Sequence, residues 1–346
     1  MAQTAATAPA PAHGGAGAPP GSGARATRHT YGAIDLGTNN CRLLIARAEN
    51  GGFTVLDSFS RIVRLGEGLG QSGRLSPEAM DRAVAALAVC AEKLRRRHVS
   101  LSRSVATEAC RRAENGHEFA ERVRHETGLA LDIIPPHEEA RLAVLGCHKL
   151  LEPGDGPALI FDIGGGSTEL VLVEPGEDSP RIRAWWSAPW GVVSLTETEG
   201  RAAIEGEGRV AAYSRMRERV LRSFARFIDM LPEDRTDIRL LGTSGTVTTL
   251  ASVHLALPSY DRRAVDGLHV PIEAMRRINT MIAEMDFGQR ADLPCIGAER
   301  ADMVVAGCAI LDAILDIWPA EKLGIADRGI REGILRSLMA RDGHIL

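Results

Sequence analysis

The sequence predicts an α/β protein made of two like halves that face each other. Three observations carry this. The first is a Gly-rich hairpin, Leu159 to Val173 (LIFDIGGGSTELVLV), in which short apolar runs flank three successive glycines. The second is an earlier copy of it. Ala33 to Ala46 (AIDLGTNNCRLLIA) places Asp35 on Asp162 and Gly37 on Gly164, an offset of 127 residues (162 − 35). A repeat at domain-sized spacing points to two halves of one ancestry. The third is that a strand-rich stretch followed by helices occurs after each copy.

Composition sets the bounds. The chain has 346 residues, of which 45 % are hydrophobic and 25 % charged, ordinary values for a globular protein with room for two domains. Its net charge of −4 gives no general electrostatic case for nucleic acid or an anionic membrane. No apolar run approaches the roughly 18 residues of a membrane helix. Six cysteines (41, 90, 110, 147, 295 and 308) include no C-x-x-C pair, so reduced, buried thiols in a cytoplasmic protein are expected. Residues 1–28 are mostly Ala, Gly, Pro, Ser and Thr. They cannot bury apolar surface, are expected to be disordered, and lack the basic start and apolar core of a secretory signal.

The first half is expected over 29–150. Its hairpin is followed by a turn at 49–52 and a third strand over Phe53 to Ser60, and Arg61 to Leu69 reads as a loop. Ser76-Pro77-Glu78 starts a helix, with Ser as cap and Pro in the first turn, that ends near Arg97. A strand over Leu101 to Ala106 leads to Thr107 and Arg111. A helix over Glu118 to Thr127 stops at Gly128, a strand follows over Leu131 to Ile134, and a helix over Glu138 to Leu151 leads into the second half.

The second half, 151–346, opens with the Gly-rich hairpin. Arg183 to Ser187 reads as a strand, Pro189 to Val193 as a loop and strand start, and Arg209 to Leu231 as one long helix with an apolar stripe from Val210 to Ile228. Ile238 to Leu241 is a strand that ends in Gly242-Thr243-Ser244-Gly245-Thr246 and runs into a helix. Helices over Pro271 to Met285, Glu299 to Ile317 and Arg328 to Met339 complete the chain.

The chemistry lies in the turns. Glycine permits positive φ and close approach of another group, and exposed amides form an anion-binding concavity. A strand, a Gly-rich turn and a helix start also present amides to an anion, which makes Gly242, Ser244 and Gly245 candidates. Asp162 and Glu169 stand where a metal-bound phosphate needs oxygen ligands. A lone Gly-rich hairpin is most simply a hairpin. Two of them across a cleft point to phosphotransfer or phosphohydrolysis.

Four segments together resemble one family: Tyr31 to Ala46, Ile160 to Glu174 (IFDIGGGSTELVLVE), Leu241 to Thr246 (LGTSGT) and Asp327 to Leu335 (DRGIREGIL). They are similar to the exopolyphosphatase/guanosine-pentaphosphate phosphohydrolase family, in its short, two-domain form. The resemblance implies two ribonuclease-H-like domains of the actin, Hsp70 and sugar-kinase superfamily around an interdomain cleft. It also implies that Glu139, in His137-Glu138-Glu139-Ala140-Arg141, is the catalytic base. Asp162 would organise magnesium or another divalent cation, with Glu169 and Asp35 helping through water. Gly164, Gly165, Gly166, Ser167 and Thr168 would cradle phosphate together with Gly37, Thr38 and Asn39. Thr107 and Arg111 would face the phosphates, with Arg111 holding the terminal phosphoryl.

One departure is Asn40, where the family commonly has a hydroxyl, so Asn40 is left out of the expected site. The implied reaction is hydrolysis of the terminal phosphoryl of inorganic polyphosphate. Guanosine pentaphosphate is the alternative substrate, and a superfamily kinase or a non-catalytic phosphate sensor are the readings from other classes. A homodimer is implied by the family alone.

Overall fold

The computed structural model describes residues 29–49, 51–176, 180–233 and 237–344. The segment expected to be disordered, 1–28, lies outside them. The first sheet contains β1 (Thr30–Leu36), β2 (Asn40–Glu49), β3 (Gly52–Ile62), β4 (Leu101–Ala106) and β5 (Leu131–Ile133), in the order β3-β2-β1-β4-β5. The second contains β6 (Ala158–Ile163), β7 (Thr168–Glu174), β8 (Arg181–Ala188), β9 (Arg239–Thr243), β10 (His269–Pro271) and β11 (Lys322–Ala326). Its order, β8-β7-β6-β9-β11, repeats the first, with β10 added at the far edge. In each sheet the first two pairings of the hairpin are antiparallel and the next two are parallel.

The repeat holds residue by residue at the hairpin tips. Asp35 pairs with Arg42 across β1 and β2, and Asp162 pairs with Glu169 across β6 and β7. Gly37 N–H donates to Asn40 O at 2.9 Å, and Gly164 N–H donates to Ser167 O at 2.9 Å. The strands β6 and β7 are buried almost throughout, which explains why their sequence is apolar on both faces.

Helices cover each sheet. Pro77–Arg96 begins as expected, with Ser76 Oγ accepting from Ala79 N–H at 3.2 Å. Its Ala83, Leu87, Cys90 and Leu94 pack with Phe119 and Val123 on one face of the first sheet. The second sheet packs Leu159, Phe161, Leu170 and Leu172 against Met216, Val220, Phe224 and Phe227, and against the almost wholly buried Val304–Ile317 helix.

Two helices fill the space between the sheets. Pro136–Cys147 gives Leu142 and Ala143 to a core with Ala33, Leu44 and Val105, and Ala140, Val144 and Cys147 to a core with Ile160, Val171 and Leu241. Ile330–Arg341, the last helix, returns to the first sheet through Ile334, Leu335, Leu338 and Met339. The packing thus crosses the chain division placed at residue 150. The two helices touch backbone to backbone. A Cβ on Gly333 would lie 2.0 Å from Leu142 O, and one on Gly146 would lie 1.9 Å from Gly329 O. Only glycine permits that approach.

Several expectations are corrected. Pro189 to Val193 does not start a strand. Gly191 caps a helix, Val192–Glu199, and its N–H donates to Ser194 Oγ at 2.9 Å. The long helix breaks at Phe224 into Arg209–Ser223 and Ala225–Ile228, and Val210 is 52 % exposed rather than part of the buried stripe. The helix expected from Glu299 begins at Val304, and β11 was not anticipated. No helix among the described residues is long and apolar enough to cross a membrane.

Candidate active site

The tips of the two hairpins meet. A Cβ on Gly165 would lie 2.9 Å from Thr38 Cβ, and one on Gly166 would lie 2.7 Å from Thr38 Oγ1. Close approach, not positive φ, is what these glycines supply: none of Gly37, Gly164, Gly165 and Gly166 has φ in the left-handed region. Four of the tip carbonyls are engaged by other segments. Gly164 O and Gly165 O accept from Val192 and Val193 N–H at 3.0 and 2.8 Å, Thr38 O from Gly66 N–H at 2.9 Å, and Asn39 O from Val63 N–H at 2.8 Å. Among the described residues the N–H groups of Thr38, Asn39, Gly165 and Gly166 have no acceptor. Unpaired amides on facing turns form an anion cradle.

Beside the cradle is a cavity of about 150 Å³, room for about ten water-sized positions. Asp35, Gly37, Thr38, Asn39, Thr107, Glu139, Asp162, Gly164, Gly165, Gly166, Ser167, Glu169, Ser244 and Gly245 all line it. Three expected residues, Thr168, Gly242 and Arg111, do not. Thr168 is fully buried and its hydroxyl donates to Trp190 O at 2.7 Å, which fixes the 190 turn. Gly242 lies under Phe161, whose ring a Cβ would meet at 2.5 Å, so its smallness serves packing.

Glu138 and Glu139 are adjacent yet separated in role. Glu138 faces outward, paired with Arg103 at 2.8 Å and Arg141 at 2.7 Å, and these partners hold its carboxyl down at about 2. Glu139, 6 % exposed, enters the cavity from the first turn of Pro136–Cys147. Burial and the neighbouring Glu169 push its carboxyl well above the ordinary range, against the pull of Arg111.

Arg111 has a different place from the one expected. Its Nη1 donates to Glu139 Oε2 at 2.9 Å and to Ile134 O at 2.7 Å, and its Nε and Nη2 donate to Glu108 Oε2 at 3.2 and 2.6 Å. The guanidinium is a brace for Glu139, not a free clamp on a phosphoryl. Glu108 itself lines the cavity.

The other carboxylates share the cavity's character. Burial raises Asp162 to about 6 and Glu169 to about 7, with Asp35 and Asp162 adding repulsion respectively. Asp35 is also raised by burial. Glu169 Oε1 accepts from Ser167 Oγ at 2.7 Å and Ser187 Oγ at 3.0 Å. Four carboxylates that raise one another's affinity for protons suit a divalent cation, and Asn39 Oδ1, a buried acceptor without a partner, suits a bound water. Among the described residues no three acidic, His or Cys side chains converge as a ready cage. Asp35, Asp162 and Glu169 line the cavity as oxygen donors that fit a divalent cation.

Sequence reasoning missed the cations. Arg42 and Arg300 line the cavity, and Arg42 offsets the charge of both Asp35 and Asp162. The repeat held the signal for Arg42, since it occupies in the first hairpin the place of Glu169 in the second. Ser244 caps the Gly245–His254 helix with φ 126°, a conformation that costs a non-glycine residue about 1–3 kcal/mol and clusters at functional sites.

The description "Ppx/GppA phosphatase family" fits residues 44–342. The chain belongs to that family. Exopolyphosphatase 2 of Mycobacterium tuberculosis is 32 % identical over 321 residues, covering 88 % of this chain and 97 % of that protein. A guanosine-5'-triphosphate,3'-diphosphate pyrophosphatase of Aliivibrio fischeri is 29 % identical over 305 residues, 88 % of this chain but 58 % of that protein. The crystal structure of the Aquifex aeolicus family member superposes with a TM-score of 0.74 at 30 % identity, covering 92 % of this chain and 99 % of that one. An exopolyphosphatase from Cytophaga hutchinsonii shares the fold, with a TM-score of 0.80 at 24 % identity over 92 % of this chain and 99 % of its own. The two halves around the cleft are the actin-like two-domain fold of these enzymes.

Proposed function

We propose that the chain is an exopolyphosphatase, a phosphoanhydride hydrolase that releases orthophosphate from the end of inorganic polyphosphate. The observation that carries this is a buried carboxylate, Glu139, facing a double cradle of unpaired amides. The terminal phosphoryl rests on the amides of Thr38, Asn39, Gly165 and Gly166, which meet charge that builds on its oxygens. The remaining chain lies along Arg42, Arg300 and the amino end of Gly245–His254. Glu139 orients a water and takes its proton as the water oxygen attacks phosphorus in line with the departing bridging oxygen. Arg111 fixes the rotamer of Glu139 and keeps its affinity for protons from rising further.

Asp162 and Glu169, with Asp35 through water, would hold magnesium. When bound, it would offset the charge of the phosphate oxygens. Relatives named for each of the two activities match the chain, so polyphosphate is the substrate proposed and guanosine pentaphosphate the alternative. Turnover on the two substrates side by side, with magnesium, tests this. Faster orthophosphate release from polyphosphate is expected. Preference for the nucleotide would reassign the substrate, and no release from either would end the hydrolase reading.

A further inference from the structure

A second cavity lies behind the catalytic one. It has about 550 Å³ against about 150 Å³, and the two share three lining residues: Thr38, Glu108 and Gly166. That partition is one side chain thick because residue 166 has none. A Cβ there would already press within 3.0 Å of Glu108 Cγ and 2.7 Å of Thr38 Oγ1. The outer cavity runs between the halves. Gln71 lines it from the first half, and Ser194, Glu197 and Thr198 line it from the second. One hydrogen bond ties its rim together: Gly68 N–H donates to Glu197 Oε1 at 3.0 Å.

We infer that this second cavity is the route by which orthophosphate leaves. The inference rests on the hydrolase reading of the site. A substrate longer than its leaving group creates a problem of order. The shortened chain still occupies the Arg42 and Arg300 side of the catalytic cavity when cleavage is complete. Orthophosphate then lies between the hairpin tips, with the shortened chain still beside it. Release without letting go of the chain needs a second opening beside the tips, and this cavity adjoins them through Thr38, Glu108 and Gly166.

Charge marks it as a passage rather than a second binding site. Arg112 offers one exposed guanidinium at the outer side, 3.9 Å from Glu108 Oε1. Glu108 and Glu197 set two carboxylates beside it, so the lining has no surplus of positive charge to retain an anion. Small shifts suffice to open the way, since the partition is a contact between the halves and its outer tie is a single hydrogen bond.

The test blocks the outer cavity from either half, at residues outside the catalytic lining. Thr198→Trp and Gln71→Trp are compared with the wild-type chain on polyphosphate of defined length with magnesium. Quenched single turnovers read cleavage, and a fluorescent phosphate-binding reporter reads release. Circular dichroism and melting check the fold of each variant. The expected result is cleavage within about twofold of wild type and release slowed about fivefold or more, with release lagging cleavage, as for an enzyme made release-limited. Wild-type release rates in both folded variants overturn the route. A fall in substrate affinity with cleavage and release still in step also overturns it, since the cavity would then hold substrate. Absence of orthophosphate from the wild-type chain speaks against the hydrolase reading itself, and that outcome needs no variant to be seen.

Discussion

At the scale of single residues, the site depends on how Glu139 is held. Among the described residues it has one cationic partner, Arg111, and that partner is shared with Glu108. Arg111→Ala leaves the buried Glu139 without its cation and Glu108 with only Arg112 at 3.9 Å, so a loss of about 3 kcal/mol in stability is expected in denaturant unfolding. The same change removes the cation that draws Glu139 down, so its affinity for protons rises. The acid limb of kcat/KM should therefore move to higher pH. Arg111→Lys restores charge but cannot fork between Glu108 and Glu139, and recovers the pH profile only in part. An unshifted acid limb in Arg111→Ala would mean that Arg111 does not set the proton affinity of the base. Arg42 adds a second residue-scale prediction. Arg42→Ala removes the cation that faces Asp35 and Asp162, and KM for polyphosphate should rise about tenfold or more, since one charge-assisted contact is worth about 1.5–3 kcal/mol.

At the scale of elements, the Pro136–Cys147 helix carries Glu139 and is set by its crossing with Ile330–Arg341. Gly333→Ala places a methyl 2.0 Å from Leu142 O in that crossing. The helices must separate, with an expected loss of about 1–3 kcal/mol in chemical denaturation and a fall in activity through displacement of Glu139. Full stability and activity would show that the crossing does not position the base. Elements also show what the sequence could tell. The hairpins were legible because their pattern is local: apolar runs, Asp, Gly and a repeat. The inward turn of Glu139 was not, since Glu138 and Glu139 are chemically alike and two separate cores decide which one faces the cavity. Its role came from resemblance. Thr168 and Gly242 were misplaced because small residues near a turn read the same whether they face a ligand or pack. The strand β11 is not legible because it pairs with β9, distant in sequence; the last helix is legible over Arg328 to Met339, but its return to the first sheet is not.

At the scale of the whole molecule, the cleft concentrates negative charge between two halves. The sign of its pH dependence follows. Asp162, Glu169 and Glu139 are raised above their unfolded values, so the folded chain binds more protons than the unfolded one between the ordinary carboxylate range and about 7. The contribution of these groups to stability is present below about pH 4 and is lost as pH rises through about 6 and about 7. The cation-free chain should therefore melt lower at pH 8 than at pH 5.5, and added magnesium should recover much of the difference at pH 8 by binding the folded state. Calorimetry across that range, with and without the cation, checks both signs. A melting temperature that rises with pH in the cation-free chain would contradict the placing of these carboxylates.

The account as a whole rests on one buried glutamate acting as the base on a cradled phosphoryl. The direct test is a single-turnover comparison of Glu139→Gln and Glu138→Gln on polyphosphate with magnesium. Glu139→Gln should bind substrate as the wild-type chain does and lose about 10²–10⁴-fold in cleavage, the usual worth of a general base. Glu138→Gln, whose carboxylate faces Arg103 and Arg141 outside the cavity, should cleave at close to the wild-type rate. Undiminished cleavage by Glu139→Gln would contradict the central claim.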